Sequence, residues 1–314
     1  MRMQRGCKGG LRLLRPHLDQ AAGALAAYLR ACGCSDAELA ETASVAAPIL
    51  ASLDDDDLFI CLYRRTITLL ASGETAGAGG TVRGTVIATR LIRHGAPIPE
   101  EGAYLGSEAD LCAKFSCGRS TFRQALRILD DLGMLHVRRG RGGGYALKRP
   151  SSIGVVRQLF ALLASRQQTL ENIIPVVWAL NLVNLRLAMH RFRQLSPGLR
   201  AERCDGLAAL LVQSSEPRRW GLLQQALSRA ANNTMVSTLL RCMVAYHARL
   251  GPPPAVHSEL DEQLRTDEEA IVQALRRGRD AEAESHHRRA QARLSQMFHC
   301  SDLPGSEHAF LGHA

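Results

Sequence analysis

One stretch of the sequence decides the fold, LGSEADLCAKFSCGRSTFRQALRILDDLGMLHVRRGRGGGYAL at residues 105–147. Within it, Ser107 is followed three residues later by Asp110, and this spacing predicts the capped start of a short helix. The segment Ser116-Cys117-Gly118 then predicts a tight turn of the kind that joins the two helices of a helix-turn-helix.

A second helix is predicted directly after this turn. Apolar residues at helical spacing define its buried side, namely Phe122, Leu126 and Leu129. A neighbouring stripe carries three arginines, Arg119, Arg123 and Arg127. Gly133 predicts the end of the helix, because glycine readily adopts the left-handed conformation that terminates helices.

A β-hairpin is predicted at the end of the stretch. Leu135 and Val137 alternate with polar residues before the turn, and Tyr145 and Leu147 do so after it. The tip, RRGRGGG at residues 138–144, is too rich in glycine to pack and too cationic to be buried. Together these features predict a winged helix-turn-helix: a capped helix, a tight turn, a second helix with a stripe of arginines and a basic hairpin. In such a domain the second helix and the wing contact double-stranded DNA.

The stretch resembles the DNA-binding domain of GntR-family bacterial transcription regulators. The matching residues are Leu105, Ser107, Glu108, Leu111, Arg119, Arg123, Ala125, Leu126, Leu129, Gly133 and the wing glycines 140–144. The resemblance implies that Ser107, Arg119, Arg123 and the wing touch DNA. The chain departs from the family pattern at three positions: Gly106 replaces a proline, Ala109 an arginine and Gly118 a serine. We therefore expect the protein to recognise a different DNA sequence or to recognise its DNA sequence more weakly.

The predicted DNA-binding residues have two roles. Arg119 and Arg123, with Ser120 and Thr121, are expected to read the major groove. The wing is expected to hold the minor groove or the phosphate backbone. The full predicted set is Ser107, Arg119, Ser120, Thr121, Arg123, Arg138, Arg139, Gly140, Arg141 and Gly142.

The C-terminal half is predicted to be an all-α bundle of seven helices. Helical periodicity places them near 153–165, 169–193, 199–214, 218–231, 234–250, 256–277 and 280–298. The segments LSRAANNTM at 227–235 and AIVQALRRGRDAEAE at 270–284 resemble the helical ligand-binding (FCD) domain of the FadR branch of that family. The resemblance implies a domain that dimerises and that senses small carboxylic acids or metals.

The metal chemistry of that branch is not expected here. By the resemblance, its metal ligands fall on Trp220, Gln224, Glu268 and Gln291, which do not form a ligand set for a metal such as Zn²⁺. The adjacent His286 and His287 would point about 100° apart on a helix. We therefore predict a bundle with no metal or other cofactor, whose pocket is apolar or closed.

The remaining sequence predicts the domain organisation. Residues 18–70 predict three or four helices, which either form an independent segment or are the end of a first, partial ligand-domain copy. The run Asp54-Asp55-Asp56-Asp57 predicts an acidic helix start rather than a metal site. The predicted segments are a helical segment 1–71, a linker 72–80, a winged domain 81–149, a bundle 150–298 and a disordered tail 299–314.

Composition restricts the class of protein. Charged residues make up 22% and hydrophobic residues 46%, which is typical of a globular chain, and low aromatic content (4%) favours helices. Residues 81–149 hold 12 Lys and Arg against 6 Asp and Glu, so most of the net charge of +9 lies in the predicted winged domain.

The 9 scattered cysteines suit reduced thiols in a cytoplasm, and Cys32-Gly-Cys34 predicts a helix end rather than a zinc site. No run of roughly 18 apolar residues predicts a membrane span.

The leading prediction is a sequence-specific transcription regulator that binds a pseudo-palindromic operator as a homodimer and responds to a small-molecule effector. An enzyme is not predicted, and no catalytic residues are assigned, because the sequence holds no phosphate loop, nucleophile elbow or ligand-type cluster. The alternative is a degenerate paralogue that acts as an interaction protein, dimerises with an intact regulator and binds DNA weakly.

Overall fold

The protein is mainly helical, as predicted. The computed structural model describes residues 2–4, 10–12, 17–72, 82–95, 98, 102–140, 142–148, 150–212, 219–251 and 258–299. Thirteen helices and five short strands lie within these residues. The chain divides into two compact units, Met1–Val176 with Ser237–His247, and Val177–Val236 with Ala248–Ala314.

The first unit begins with a small antiparallel strand pair and three helices. Their bounds are β1 Arg2–Gln4, β2 Gly10–Arg12, α1 Leu18–Ala31, α2 Asp36–Leu50 and α3 Leu58–Ser72. Helix α1 is composed of alanine and leucine on almost every side, and nine of its residues are buried. A helix that is apolar all round must be covered by its neighbours. Accordingly α1 packs against α3 and against two helices that follow later in the chain.

Two local features of this segment were predicted correctly. Gly33 has a φ of 77°, and the Cys34 N–H donates to Leu29 O at 3.0 Å, so Cys32-Gly-Cys34 is the end of α1. Asp57 precedes α3, and its Oδ1 accepts the Phe59 N–H at 2.7 Å. The acidic run is therefore a helix start, where a carboxylate satisfies otherwise unpaired N–H groups.

The middle of the first unit holds the stretch that decided the fold. Its elements are α4 Val82–Gly95, β3 Ala103–Gly106, α5 Glu108–Lys114, α6 Arg119–Asp131, β4 Leu135–Arg138 and β5 Gly144–Leu147. The predicted hairpin is present, but the sheet has three antiparallel strands in the order β3-β5-β4. Strand β3 was missed, because its four residues form a strand only by pairing with β5 about 40 residues later in the chain. Helix α4 packs against α6, and α1 packs against α4.

The end of α6 shows how one glycine sets the path into the hairpin. Gly133 has a φ of 68°, and its N–H donates to Asp130 O at 2.8 Å. The next N–H, from buried Met134, donates to Leu129 O at 2.8 Å. This pair of bonds is a Schellman motif, which confirms the predicted helix end.

The seven predicted C-terminal helices are all present, with ends within two residues of those expected. They are α7 Ser152–Ser165, α8 Leu170–Arg193, α9 Pro197–Val212, α10 Arg219–Ala231, α11 Thr234–Leu250, α12 Ser258–Arg277 and α13 Asp280–His299. Helix α7 and the middle of α11 belong to the first unit, where α1 packs on α7 and the Tyr246 hydroxyl donates to Gln168 O at 3.0 Å. In the second unit α12 packs against α13, α9 and α10.

Helix α8 meets the length and composition criteria for a membrane span. It has 24 residues and contains an 18-residue stretch with a mean hydropathy of 1.4. This stretch is not an uninterrupted apolar run, because Asn181 and Asn184 interrupt it, and the sequence therefore did not predict a span here. Of the stretch, 67% is buried inside the protein, and core helices of soluble proteins pass the same test, so the helix is weak evidence of a span.

Several predicted segments fall outside the described residues. These are most of the linker, 73–80, and the tail from residue 300 onward. The predicted domain boundaries stay predictions.

Candidate nucleic-acid interface

Helix α5 begins at the predicted cap. Ser107 Oγ accepts the Asp110 N–H at 3.3 Å and donates its own proton to Asp110 Oδ2 at 2.6 Å. The hydroxyl of Ser107, predicted to touch DNA, is therefore occupied with holding the start of α5.

The predicted turn joins α5 to α6, and its geometry is again a Schellman motif. The Ser116 N–H donates to Ala113 O at 3.2 Å, and the Cys117 N–H donates to Cys112 O at 3.0 Å. The left-handed residue is Ser116, with a φ of 49°, and not the glycine that suggested the turn. Gly118 has an ordinary φ of −73° and is the N-cap residue of α6, with no side chain to cap it.

Helix α6 separates an apolar side from a cationic side. Its buried residues are Phe122, Ala125, Leu126 and Leu129, which include all three of those predicted. Its exposed residues include Arg119, Ser120, Arg123 and Arg127, while Thr121 is half-buried. The apolar side packs on α4, so the three arginines remain on the solvent side of the helix.

A small side-chain network ties α5, α6 and the hairpin together. Arg123 Nε donates to Glu108 Oε1 at 3.2 Å, and the Tyr145 hydroxyl donates to Glu108 Oε2 at 3.5 Å. The Tyr145 ring lies edge-on to Phe122, with 5.6 Å between the ring centroids. Burial and the nearby Glu108 carboxylate raise the pKa of Tyr145. Glu108 was matched to the family pattern in the sequence, but its partners were not foreseen.

The hairpin presents the other predicted cations. Arg138, Arg139, Gly140 and Gly142 are exposed, and Arg141 lies outside the described residues. The Arg138 guanidinium lies over the Tyr104 ring, 5.4 Å from its centroid, in a cation–π contact. Val137, which alternates with polar residues in the sequence, is half exposed.

Gly144 allows the hairpin to approach β3. A Cβ at this position would lie 2.4 Å from Gly106 O and 2.8 Å from the Tyr104 hydroxyl. Only glycine fits where the two backbones come this close. The last glycine of the tip, Gly144, therefore allows β5 to lie against β3 in the sheet.

The second unit contains a buried polar cluster, which we define as Arg219, Trp220, Gln224, Glu268 and His287. Arg219 Nη2 lies 3.0 Å from Glu268 Oε2, and His287 Nε2 lies 3.3 Å from Gln224 Oε1. The Trp220 and His287 rings are 5.1 Å apart. Burial lowers the pKa of His287 to about 3, and burial raises the pKa of Glu268 to about 7 against the opposing effect of Arg219.

The cluster is polar and buried, whereas the sequence predicted a pocket that is apolar or closed. Three of the residues that the resemblance assigned to the metal positions have partners in this cluster, since Trp220 and Gln224 contact His287 and Glu268 pairs with Arg219. The fourth, Gln291, instead donates to Trp178 O at 3.0 Å. Within the described ranges no group of three or more His, Cys, Asp or Glu is placed to hold a metal ion.

Many polar atoms of the cluster are unsatisfied. Among the described residues no hydrogen bond reaches Arg219 Nε, Trp220 Nε1, Gln224 Nε2 or His287 Nδ1, whereas Glu268 Oε2 has the Arg219 guanidinium as its partner. Asn184, on α8, is fully buried, and no hydrogen bond from the described residues reaches the nitrogen or the oxygen of its side-chain amide. Asn184 on α8 lies at about the same height along the helix pair as His287 on α13, because the nearby Arg186 of α8 pairs with Glu284 of α13. Such groups are costly to bury and normally have a partner.

The two adjacent histidines face different surroundings, as their helical spacing predicted. His286 Nδ1 lies 3.1 Å from Asp267 Oδ1, whereas His287 faces Gln224.

Neither the models of known protein families nor the curated protein sequences gave a match to this chain. The family resemblance therefore rests on the residues quoted for it.

Proposed function

We propose that this chain is a sequence-specific, double-stranded DNA-binding transcription regulator whose winged helix-turn-helix spans residues 81–149. The observation that carries the proposal is the two-sided α6, which buries Phe122 and Leu129 and exposes Arg119, Arg123 and Arg127 beside a basic hairpin. A helix that follows a capped helix and a tight turn, with arginines on its free side, fits the major groove.

The proposed roles follow from position. Arg119 and Arg123, with Ser120 and Thr121, contact base edges and the adjoining phosphates. The wing residues Arg138, Arg139, Gly140, Arg141 and Gly142 contact the backbone or the minor groove. Ser107 caps α5, and in this proposal the N-terminal end of α5 faces the DNA phosphates.

The proposal extends to the assembly and the family. We propose that the chain is a GntR-type regulator of the FadR branch, acts in the cytoplasm and binds a pseudo-palindrome as a homodimer. The support is the match of residues in the 105–147 stretch and in the helical half. We propose no catalytic role.

Selection of bound duplexes from a random pool tests this function directly. The full chain should enrich a two-fold related motif, and its affinity should fall by roughly 10³-fold or more between about 50 and 200 mM salt if about 6 phosphates are contacted. The matched control is the double variant Arg119→Ala, Arg123→Ala, which should enrich no motif. Absence of binding by the unmodified chain at low ionic strength would overturn the proposal.

The alternative, a degenerate paralogue with weak DNA binding, has two structural observations in its favour. Ala109 is exposed where the family has an arginine, and Glu108 partly neutralises Arg123. The two functions differ in the ratio of specific to non-specific affinity. A ratio of roughly 10³ or more favours the regulator, and a ratio near one together with tight binding to a second regulator favours the paralogue.

We also propose that the effector implied by the resemblance binds at the buried polar cluster. Since Gln224 Oε1 only accepts, neutral His287 carries its proton on Nε2, which leaves Nδ1 as an acceptor. The unsatisfied atoms therefore include donors, on Arg219, Trp220 and Gln224, and an acceptor, His287 Nδ1. A small molecule with both kinds of group would satisfy them.

Thermal unfolding with millimolar small carboxylic acids, amides and polyols tests the effector site. A ligand should raise the melting temperature of the full chain, and Gln224→Leu should remove that shift. If no compound shifts the unmodified chain and Gln224→Leu is more stable than it, the cluster is a buried structural feature and the effector proposal is wrong.

A further inference from the structure

The turn between α5 and α6 brings two cysteines together. Cys112 is in the last turn of α5 and Cys117 is the second residue after its end cap, Phe115. These are the two positions whose side chains meet in a Schellman motif. The hydrogen bond from Cys117 N to Cys112 O, 3.0 Å long, restricts the two Cα atoms to about 7 Å or less, given standard backbone dimensions. That limit reaches the range that a disulfide spans.

The two thiols also interact with each other. Burial and then the neighbouring Cys112 sulfur, to which the Cys117 thiol donates a hydrogen bond, raise the pKa of Cys117. Both side chains are half-buried, so a small reagent reaches them, whereas Cys34, Cys204 and Cys242 are buried. A thiol that a reagent can reach and that lies beside a second thiol can oxidise to a disulfide, through the fraction of it that is present as thiolate.

We propose that Cys112 and Cys117 are a redox-active dithiol that closes, on oxidation by hydrogen peroxide, to an intramolecular disulfide across the turn. One thiolate attacks a peroxide oxygen, the O–O bond breaks, and a sulfenic acid and water result. The second thiol then attacks that sulfur, the S–S bond forms, and the S–O bond breaks to release a second water. In sum, two thiols are oxidised and one peroxide is reduced to two waters. A dithiol reductant reverses the step.

The inference goes beyond DNA binding and does not depend on it. The turn carries Cys117 two residues before Arg119, so the site lies next to the proposed interface. The chemistry is nevertheless measured on the free protein, and failure of either proposal leaves the other standing.

Peptide mapping of the full chain provides the test. The native protein is treated with hydrogen peroxide, blocked with iodoacetamide and digested with trypsin, which cleaves after Arg93, Lys114 and Arg119. Cys112 and Cys117 fall in separate peptides, 94–114 and 115–119. The expected product is these two peptides joined, two hydrogen atoms lighter than their sum, and it should separate on reduction. Its yield should rise with pH, as the thiolate fraction rises.

Matched variants check the assignment. Cys117→Ser should abolish the linked product, while Cys61→Ser, at another half-buried cysteine, should leave it unchanged. The proposal is overturned if the unmodified chain yields only sulfinic or sulfonic acid at these two cysteines, or if they enter only intermolecular disulfides.

Discussion

Glu108 accepts a hydrogen bond from Arg123, with 3.2 Å between Oε1 and Nε, and thereby links the start of α5 to the free side of α6. The Arg123 side chain is 66% exposed and that of Glu108 26%. Ion pairs as exposed as this contribute little to stability. Its consequence is instead that one guanidinium that we propose contacts DNA has a defined position and a reduced net charge.

Glu108→Gln tests this consequence. Loss of the carboxylate adds one net positive charge and frees Arg123, so non-specific DNA affinity should rise while the ratio of specific to non-specific affinity falls, each by up to about 1 kcal/mol. Titrations of a selected and a scrambled duplex measure both. Glu202→Gln, which changes charge equally on an exposed residue of the second unit, is the control and should leave the ratio unaltered. An unchanged ratio in Glu108→Gln would mean that the pair does not position Arg123.

Arginines of the helix and of the wing should behave differently. Arg119→Ala and Arg123→Ala should each lower specific affinity by about 1–3 kcal/mol, the value of a good base contact. Arg138→Ala and Arg141→Ala should weaken all duplexes about equally and reduce the salt slope. Affinities measured at several salt concentrations separate the two behaviours. Indistinguishable effects would refute the division of roles.

Gly118→Ser should stabilise the first unit. A Cβ at Gly118 meets nothing within 4 Å, and the residue is an uncapped N-cap with ordinary dihedral angles. A serine hydroxyl there can accept a free N–H of α6, which is worth a few tenths of a kcal/mol over glycine. Gly118→Ala adds the same Cβ without a hydroxyl and should be roughly 1 kcal/mol less stable than the serine variant. Thermal or urea unfolding measures both, and equal stabilities would show that the hydroxyl does not cap α6.

Acid should weaken the second unit through Glu284. Arg186 donates to both of its carboxylate oxygens, at 2.9 and 2.8 Å. Hydrogen bonds from Arg186 and then Arg288 lower the pKa of Glu284 to about 2, from 4.5. Because the folded-state pKa is depressed, this stabilisation is complete above about pH 5 and is lost as the pH falls toward 2.

The variant Glu284→Gln should therefore cost roughly 1–3 kcal/mol at pH 7 and much less near pH 2.5. Urea unfolding at the two pH values measures the difference. The control is Glu282→Gln, on the same helix as Glu284. It breaks an exposed ion pair with Arg279 and should cost at most about 0.5 kcal/mol of stability at either pH. A pH-independent cost for Glu284→Gln would contradict the linkage.

Most of the helices and their ends were predictable from the sequence, since the signals are local. The cap at Ser107, the stops at Gly33 and Gly133 and the helix start at Asp57 each involve residues at most five positions apart. The buried side of α6 followed from periodicity in the same way. Strand β3 was not predictable, because four residues with little pattern of their own became a strand by pairing with β5.

The candidate site was predictable in its cations and not in their partners. The exposure of Arg119 and Arg138 followed from their position on a helix and a hairpin, whereas the stacking of Arg138 on Tyr104 required a strand that was not foreseen. The buried polar cluster of the second unit was missed because Trp220, Gln224 and Glu268 were interpreted only as replacements of metal ligands, and their contacts with Arg219 and His287 depend on helix packing.

The sequence by itself determined where helices start and stop, which side of α6 is buried and where positive charge accumulates, because capping and periodicity act over a few residues. Only the tertiary structure decided that Glu108 meets Arg123, 15 residues away, and Tyr145, 37 residues away. It also decided that Gln224 meets His287, 63 residues away. Such contacts depend on how helices pack, and packing is a property of the whole folded chain that no short pattern contains.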